Sequence, residues 1–257
     1  MIKVPFVLPF CRKIIGRMDG AGGRNTTMSV EENLKAVLEQ IEKCRKASGA
    51  AQEVRLLAVS KTKPYDDIME AYRAGQLLFG ESYAQEAAEK IDRARDSGIR
   101  DIVWYFIGPL QSIKTRPVAE RFDWVLSCDR EKIARRLNDQ RPAGMRPLNV
   151  CIQINISGEE QKSGIGEDGI MALAKIVNDL PALTLRGLMG IALNTDDEAV
   201  LKEEFTNLNR IYLNLKKLYP TVDTLSMGMT ADMEPAIGCG SNLVRIGTRI
   251  FGARNYN

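Results

Sequence analysis

The chain has 257 residues, 36 basic and 33 acidic, for a net charge of +3, with 44% hydrophobic residues and no histidine. The lack of histidine excludes Ser-His-Asp and Cys-His catalysis and histidine-ligated metals. Within residues 1–27, Lys3, Arg12, Lys13, Arg17 and Arg24 stand against a single acid, Asp19, so the excess charge lies at the front and the near-neutral remainder offers no electrostatic footprint for nucleic acid.

Residues 1–27 read as an N-terminal extension, expected to be disordered. Residues 4–10 are too short and too interrupted by proline for a signal-peptide core, and residues 20–27 are loop-like. A transit peptide and an upstream start ahead of Met28 both account for it. Ser29 and Glu32 then have the spacing of a capping box, and Leu34, Val37, Leu38 and Ile41 form the apolar stripe of the helix that follows.

From Val54 onward strand and helix alternate. Strands are predicted at 54–60, 76–80, 102–108, 124–127, 149–156, 184–191, 224–228 and 243–247. Helices are predicted at 65–74, 83–96, 112–122, 130–139, 167–179, 196–218 and 231–239. Eight strands with intervening helices specify an α/β fold, a single (β/α)8 TIM-type barrel over residues 28–257. A doubly wound open sheet is the alternative, but no GxGxxG follows the first strand. The five scattered cysteines (Cys11, Cys44, Cys128, Cys151 and Cys239) include no CxxC pair, which points to reduced thiols in a cytoplasmic protein. No apolar run reaches the length of a membrane span, so no membrane partner is expected.

The sharpest local signal is the run from Val54 to Pro64. A buried strand ends at Ser60, and Lys61 shares its inward face with Leu57 and Val59. Partial desolvation lowers a lysine pKa, and a neutral amine is a nucleophile towards aldehydes. A lysine that snorkels from a strand end into water would give the same local pattern.

The other strand ends carry small and polar residues: Gly80-Glu81-Ser82, Gly108-Pro109, Ser127, Asn155-Ile156-Ser157-Gly158, Met189-Gly190, Ser226-Met227-Gly228 and Arg245-Ile246-Gly247-Thr248. In a barrel these meet at the C-terminal face, where the seventh and eighth ends commonly hold phosphate. Ser226, Gly247 and Thr248 supply hydroxyls and close backbone approach there. Arg245 alternates inward and needs an acceptor, from a ligand or from a structural salt bridge to Glu81 or Asp232. Together these residues suit an aldehyde bearing a phosphate, and pyridoxal 5′-phosphate fits that description.

Several of these segments carry a resemblance. They are Leu57-Ala58-Val59-Ser60-Lys61-Thr62-Lys63-Pro64, Phe79-Gly80-Glu81-Ser82-Tyr83-Ala84-Gln85-Glu86, Phe106-Ile107-Gly108-Pro109-Leu110-Gln111, Asn155 through Gly164, Leu225-Ser226-Met227-Gly228-Met229 and Val244-Arg245-Ile246-Gly247-Thr248. Through them the chain resembles the pyridoxal phosphate homeostasis proteins, the YggS/PROSC family, whose fold is similar to the N-terminal barrel of alanine racemase. The resemblance implies that Lys61 forms the internal aldimine with pyridoxal 5′-phosphate. It implies phosphate contacts from Ser226, Gly247 and Thr248, Arg245 at the pyridine nitrogen, and Ser82 and Met189 in the same cofactor site. It makes Lys63 and Lys162 secondary lysines with a part in cofactor exchange. Ser82, Tyr105 and Ile113 depart from the family pattern, where Asn, His and Asn are usual.

The function so implied is a carrier. It holds the cofactor as a Schiff base and takes part in intracellular homeostasis and delivery to apo-enzymes, without robust turnover. The competing function is a racemase-like enzyme acting on amino acids. Two-base racemisation needs a second acid or base opposite the lysine, which alanine racemases take from an added β domain of the partner subunit. The chain runs out at Asn257, just after the eighth unit, which favours the carrier and a monomer.

Overall fold

A computed structural model describes residues 28–156 and 163–253. The extension 1–27 and Lys162 lie outside the described residues.

The first helix obeys its local signal. α1 (Val30–Ala47) starts at Ser29, whose hydroxyl accepts from the Glu32 N–H at 3.2 Å while the Glu32 carboxylate accepts from the Ser29 N–H at 2.9 Å. Glu31 and Glu32 in the first turn and Arg45 and Lys46 in the last complement the helix dipole. The helix buries Leu34, Val37, Ile41 and Cys44. Leu38, expected in that stripe, falls off the centre of the buried arc and is 44% exposed.

The sheet is a closed barrel of eight parallel strands in sequence order. They are β1 (Arg55–Val59), β2 (Leu78–Glu81), β3 (Val103–Phe106), β4 (Trp124–Cys128), β5 (Leu148–Ile154), β6 (Leu183–Gly190), β7 (Thr224–Ser226) and β8 (Leu243–Ile246). Between them run α2 (Tyr65–Arg73), α3 (Ala84–Asp96), α4 (Thr115–Arg121), α5 (Glu131–Gln140), α6 (Ile170–Asp179), α7 (Glu198–Leu218) and α8 (Met233–Gly238). The observed strand ends lie within two residues of the predicted ones. The helices predicted at 112–122 and 167–179 each open with a 3-10 turn, Ser112–Lys114 and Glu167–Gly169. Pro117 sits in the first turn of α4, where its missing N–H would have had no partner. A one-turn helix, α9 (Thr248–Phe251), follows β8 and has no counterpart among the predicted elements.

Two apolar shells hold the barrel. The inner one gathers Leu57, Tyr105, Trp124, Leu126, Cys151, Met189 and Leu243. Tyr105 stacks on Trp124 with centroids 5.0 Å apart and planes 14° from parallel, so it fills the interior. The outer shell is formed by the opposite strand faces and the inner helix stripes, including Leu56, Ala58, Phe79, Ile91 and Phe106. At the N-terminal end the interior is closed by polar contacts. Arg186 lies over the Trp124 ring at 4.5 Å and donates to Asn149 at 2.7 Å, and Arg55 donates to Thr224 at 3.3 Å. Among the described residues no helix is long and apolar enough to cross a membrane.

One irregularity matters for the site. The β5–β6 register shifts so that Val150 faces Leu185 but Cys151 faces Gly187, leaving Arg186 as an extra residue. The bulge reverses the alternation along β6 and turns Met189 into the barrel. Gly187 has φ +149°, and a Cβ there would lie 1.7 Å from the Thr224 carbonyl oxygen. Gly187→Ala is therefore expected to destabilise the barrel by about 2–4 kcal/mol, from a strained backbone plus displacement of β7. Urea unfolding measures this, and a shift within about 0.5 kcal/mol would mean that β6 and β7 separate freely.

Candidate functional site

Chain segments converge at the C-terminal mouth of the barrel because small residues let them. β1 ends at Val59, and the Ser60 N–H continues the ladder to Gly80 O at 3.0 Å. Lys61 comes next, half-buried, as the first residue of a turn. Thr62 then takes φ +62°. In a β-branched residue that conformation costs about 1–3 kcal/mol and persists only where the surroundings impose it. Here the Thr62 N–H donates to Glu86 Oε1 at 2.7 Å.

The same turn carries Lys63 out of line with Lys61. Its Nζ donates to Ala253 O at 2.6 Å, and it lines an outer groove with Tyr65, Glu89 and Arg93. The common inward face that an extended strand would give these two lysines is absent.

Arg245 forms the inner wall. It is 5% exposed, and Nη1 donates to Ser226 O at 3.0 Å and Ser226 Oγ at 2.8 Å, while Nη2 donates to Gly190 O at 3.0 Å. No described carboxylate forms an ion pair with it. Of the two acids considered as structural partners, Glu81 points to the outside of the barrel, and Asp232 accepts from the Met229 N–H at 2.6 Å. Burial draws the Arg245 pKa down to about 10, against a smaller upward pull from Asp232, so the guanidinium stays charged at neutral pH. Ser226 is fully buried, and its hydroxyl donates to Leu243 O at 3.2 Å. Met189 is its register neighbour on β6, and Leu57 is that of Arg245 on β1.

The rim is built by close approach. A Cβ on Gly247 would lie 2.9 Å from Val59 O, so the absent side chain presses the end of β8 against β1, two residues before Lys61. Gly247 is also the N-cap of α9, and exposed Thr248 is its first residue. The Ile250 and Phe251 amides donate to Gly247 O at 2.8 and 3.0 Å, which leaves those of Thr248 and Arg249 as the first-turn amides without an acceptor inside the helix. Gly108 plays the same part across the mouth, where a Cβ would lie 2.3 Å from the carbonyl oxygen of half-buried Ser82. Ile107, Pro109, Gln153, Asn155, Ser163 and Ile191 line a cavity of 180 Å³ at this end. Gln153 and Ile191 were not singled out in the sequence, although alternation from Asn155 and Met189 would have reached them. Of the departures from the family pattern, Tyr105 lies in the packed interior and Ile113 is 82% exposed on its loop.

Outside the barrel wall, beneath the Lys61 turn, lies a polar cluster that the sequence reading missed. Lys90 on α3 is 7% exposed, and its Nζ donates to Ser60 O at 2.9 Å, Glu81 Oε1 at 2.8 Å and Glu86 Oε1 at 2.5 Å. The Ser60 hydroxyl also donates to Glu81 Oε1 at 2.7 Å. The available signal was the i,i+4 spacing of Glu86 and Lys90 on a helix face otherwise made of Ala87, Ile91 and Ala94.

A lysine at a strand end, a charged buried arginine, hydroxyls and first-turn amides suit a small anion that carries an aldehyde. Residues 33–255 match the family described as alanine racemase, N-terminal domain. The chain is 53% identical over 233 residues to the pyridoxal phosphate homeostasis protein of Haemophilus influenzae, covering 90% of this chain and 98% of that one. It is 50% identical over 229 residues to the protein of that name from Escherichia coli K12, covering 89% and 98%. Among solved structures, PipY of Synechococcus elongatus with PLP bound superposes with a TM-score of 0.75 at 31% identity, covering 87% of this chain and all of that one. Alanine racemase from Corynebacterium glutamicum, at 15% identity, has a TM-score of 0.64 over 86% of this chain and 62% of that one, a likeness of fold.

Removing Lys90 leaves Glu81 buried without its ammonium. Burial already raises the Glu81 pKa, against the opposing pull of Lys90, and in Lys90→Met it rises further. The raised group lowers stability once pH exceeds the unfolded carboxylate pKa, because folding then requires proton uptake or a buried charge. Near neutral pH the variant is expected to lose about 3–5 kcal/mol, and the deficit should shrink as pH falls through and below the unfolded carboxylate pKa of about 4.3, to about one unit beneath it, where Glu81 is protonated in both states. Urea unfolding at the two pH values measures it, and an equal loss at both would show that the Glu81 charge is not the cause.

Proposed function

Because the chain belongs to the pyridoxal phosphate homeostasis proteins, within the alanine racemase N-terminal-domain family, we propose that it holds pyridoxal 5′-phosphate at the mouth of its barrel as a Schiff base on Lys61. The observation that carries this reading is the contact between the ends of β8 and β1. The Gly247–Val59 approach brings the Lys61 turn beside Gly247 and Thr248, with Arg245 one pleat deeper.

The ligand supplies an aldehyde. The amine of Lys61 would condense with that aldehyde, with loss of water. Gly247 and Thr248, with the Thr248 and Arg249 amides at the start of α9, would receive the phosphate at the rim. Ser226 shares its one hydroxyl between Leu243 O and Arg245, so a phosphate oxygen competes with Leu243 O for that proton. Arg245 would hold the ring nitrogen, and Met189 and Ser82 would complete the same cofactor site. Lys63, from its outer groove, and Lys162 exchange the ligand with Lys61.

A guanidinium holds its proton, so Arg245 does not favour a protonated pyridine ring, and the ring is a weaker electron sink. Alanine racemase has the same arginine, so the reading as a carrier without robust turnover, which passes the ligand to apo-enzymes that depend on it, rests on the homeostasis proteins the chain resembles. The described cysteines are unpaired thiols, three of them buried, which supports a cytoplasmic location. The carrier acts as a monomer. A racemase-like enzyme of the same fold would instead need a second acid or base opposite Lys61, and steady turnover of amino acids by the loaded protein would establish it.

Borohydride reduction of the loaded protein tests the central claim. It is expected to fix the mass of the ligand on the peptide containing Lys61. Lys61→Ala should abolish the Schiff-base absorbance with little change in melting temperature, since one side chain at a barrel mouth contributes little to the core. Label on Lys63, or full absorbance retained in Lys61→Ala, would overturn the assignment.

A further inference from the structure

The residues on either side of Lys61 are tied to one buried cluster. Ser60 is held twice, its hydroxyl donating to Glu81 Oε1 at 2.7 Å and its carbonyl accepting from Lys90 at 2.9 Å. Thr62 is held by its N–H, which donates to Glu86 Oε1 at 2.7 Å. Lys90 bridges the two carboxylates from α3. Two acids therefore share one ammonium, and Glu81 Oε2 is buried without a hydrogen-bond partner.

Stability alone is a poor reason for such an arrangement. A buried ion pair replaced by well-packed apolar groups is often no less stable. What the cluster does achieve is geometric. It fixes the carbonyl before Lys61 and the amide after it, and it holds Thr62 at φ +62°, a conformation that a β-branched residue leaves when released. The direction of the Lys61 Cα–Cβ bond follows from those two constraints. A lysine side chain has many rotamers, so a fixed base narrows the volume its Nζ can occupy.

We propose that Lys90, Glu81 and Glu86 are positioning residues that set Lys61 by clamping Ser60 and Thr62 around it. The proposal rests on the reading of Lys61 as the bonding residue and adds what aims it. Glu86 is the accessible member of the clamp. Its side chain is 31% exposed, against 8% for Lys90 and none for Glu81, and it borders the groove lined by Thr62, Lys63 and Tyr65. Replacing it releases Thr62 while the Glu81–Lys90 pair stays in place.

The test compares full-length wild type with Glu86→Ala and Glu86→Gln, using two ligands. Pyridoxal 5′-phosphate can bond to Lys61. Pyridoxine 5′-phosphate has no aldehyde and reports only the non-covalent pocket. In Glu86→Ala, bond formation with pyridoxal 5′-phosphate is expected to slow about tenfold, the scale of one lost charge-assisted hydrogen bond at a positioned group. Affinity for pyridoxine 5′-phosphate and the melting temperature should stay near wild type, and the Thr62 amide should exchange faster with solvent. Glu86→Gln keeps an acceptor for the Thr62 N–H and should restore most of the rate. A wild-type rate in Glu86→Ala, an equal loss for both ligands, or no recovery in Glu86→Gln would overturn the clamp. A wild-type protein that fixes no borohydride label on Lys61 would instead overturn the reading beneath it, and the clamp with it, so the two failures are told apart.

Discussion

Everything at the mouth depends on closure of the barrel between its last strand and its first. Leu56 and Leu57 pair with Val244 and Arg245, and Gly247 presses on Val59. That contact joins residues separated by nearly the whole chain. It puts the Lys61 turn beside the start of α9 and the buried guanidinium beneath both. Parallel strands reach this register only after every crossover has been made, so the site exists only in the completed fold.

Charge is distributed across the barrel wall in two different ways. At the inner mouth, Arg245 has no ion-pair partner among the described residues and is satisfied by the carbonyls of Ser226 and Gly190 and by one hydroxyl. Carbonyls relieve part of the cost of burial without neutralising the charge. Outside, Lys90 stands between Glu81 and Glu86 and is fully paired. The wall keeps the two apart, because side chains alternate along β2 and β8 and Glu81 and Arg245 leave on opposite faces. A bridge between Glu81 and Arg245 would have neutralised the Arg245 charge.

The fold shared with alanine racemase therefore says less about activity than the chemistry placed on it. An (β/α)8 barrel presents eight loop sets at one end, and different loops support different reactions on the same frame. In this chain the loop after β1 supplies a lysine at the rim and strand β8 an arginine below it, a set suited to an aldehyde that carries a phosphate.

Sequence alone determined the frame. The capping box of Ser29 and Glu32, the buried run before Lys61 and the strand–helix alternation are short-range patterns, and each survives in the structure because it depends on neighbours a few residues away. Recurrent small and polar residues at the strand ends were legible for the same reason. Four features were decided only by tertiary structure. Lys63 lines an outer groove, since the left-handed turn at Thr62, held by Glu86 from another element, breaks the alternation an extended strand would keep. Met189 turned inward because a bulge at Arg186 reversed the alternation that a regular strand would have kept. Arg245 found carbonyl partners on β6 and β7 rather than a carboxylate, since only closure shows which groups face it. Lys90 became the hub of a buried cluster although its i,i+4 pair with Glu86 looks like an exposed helix pair in sequence. Periodicity records which face a residue takes, whereas the identity of what meets it there is set by segments brought from far along the chain.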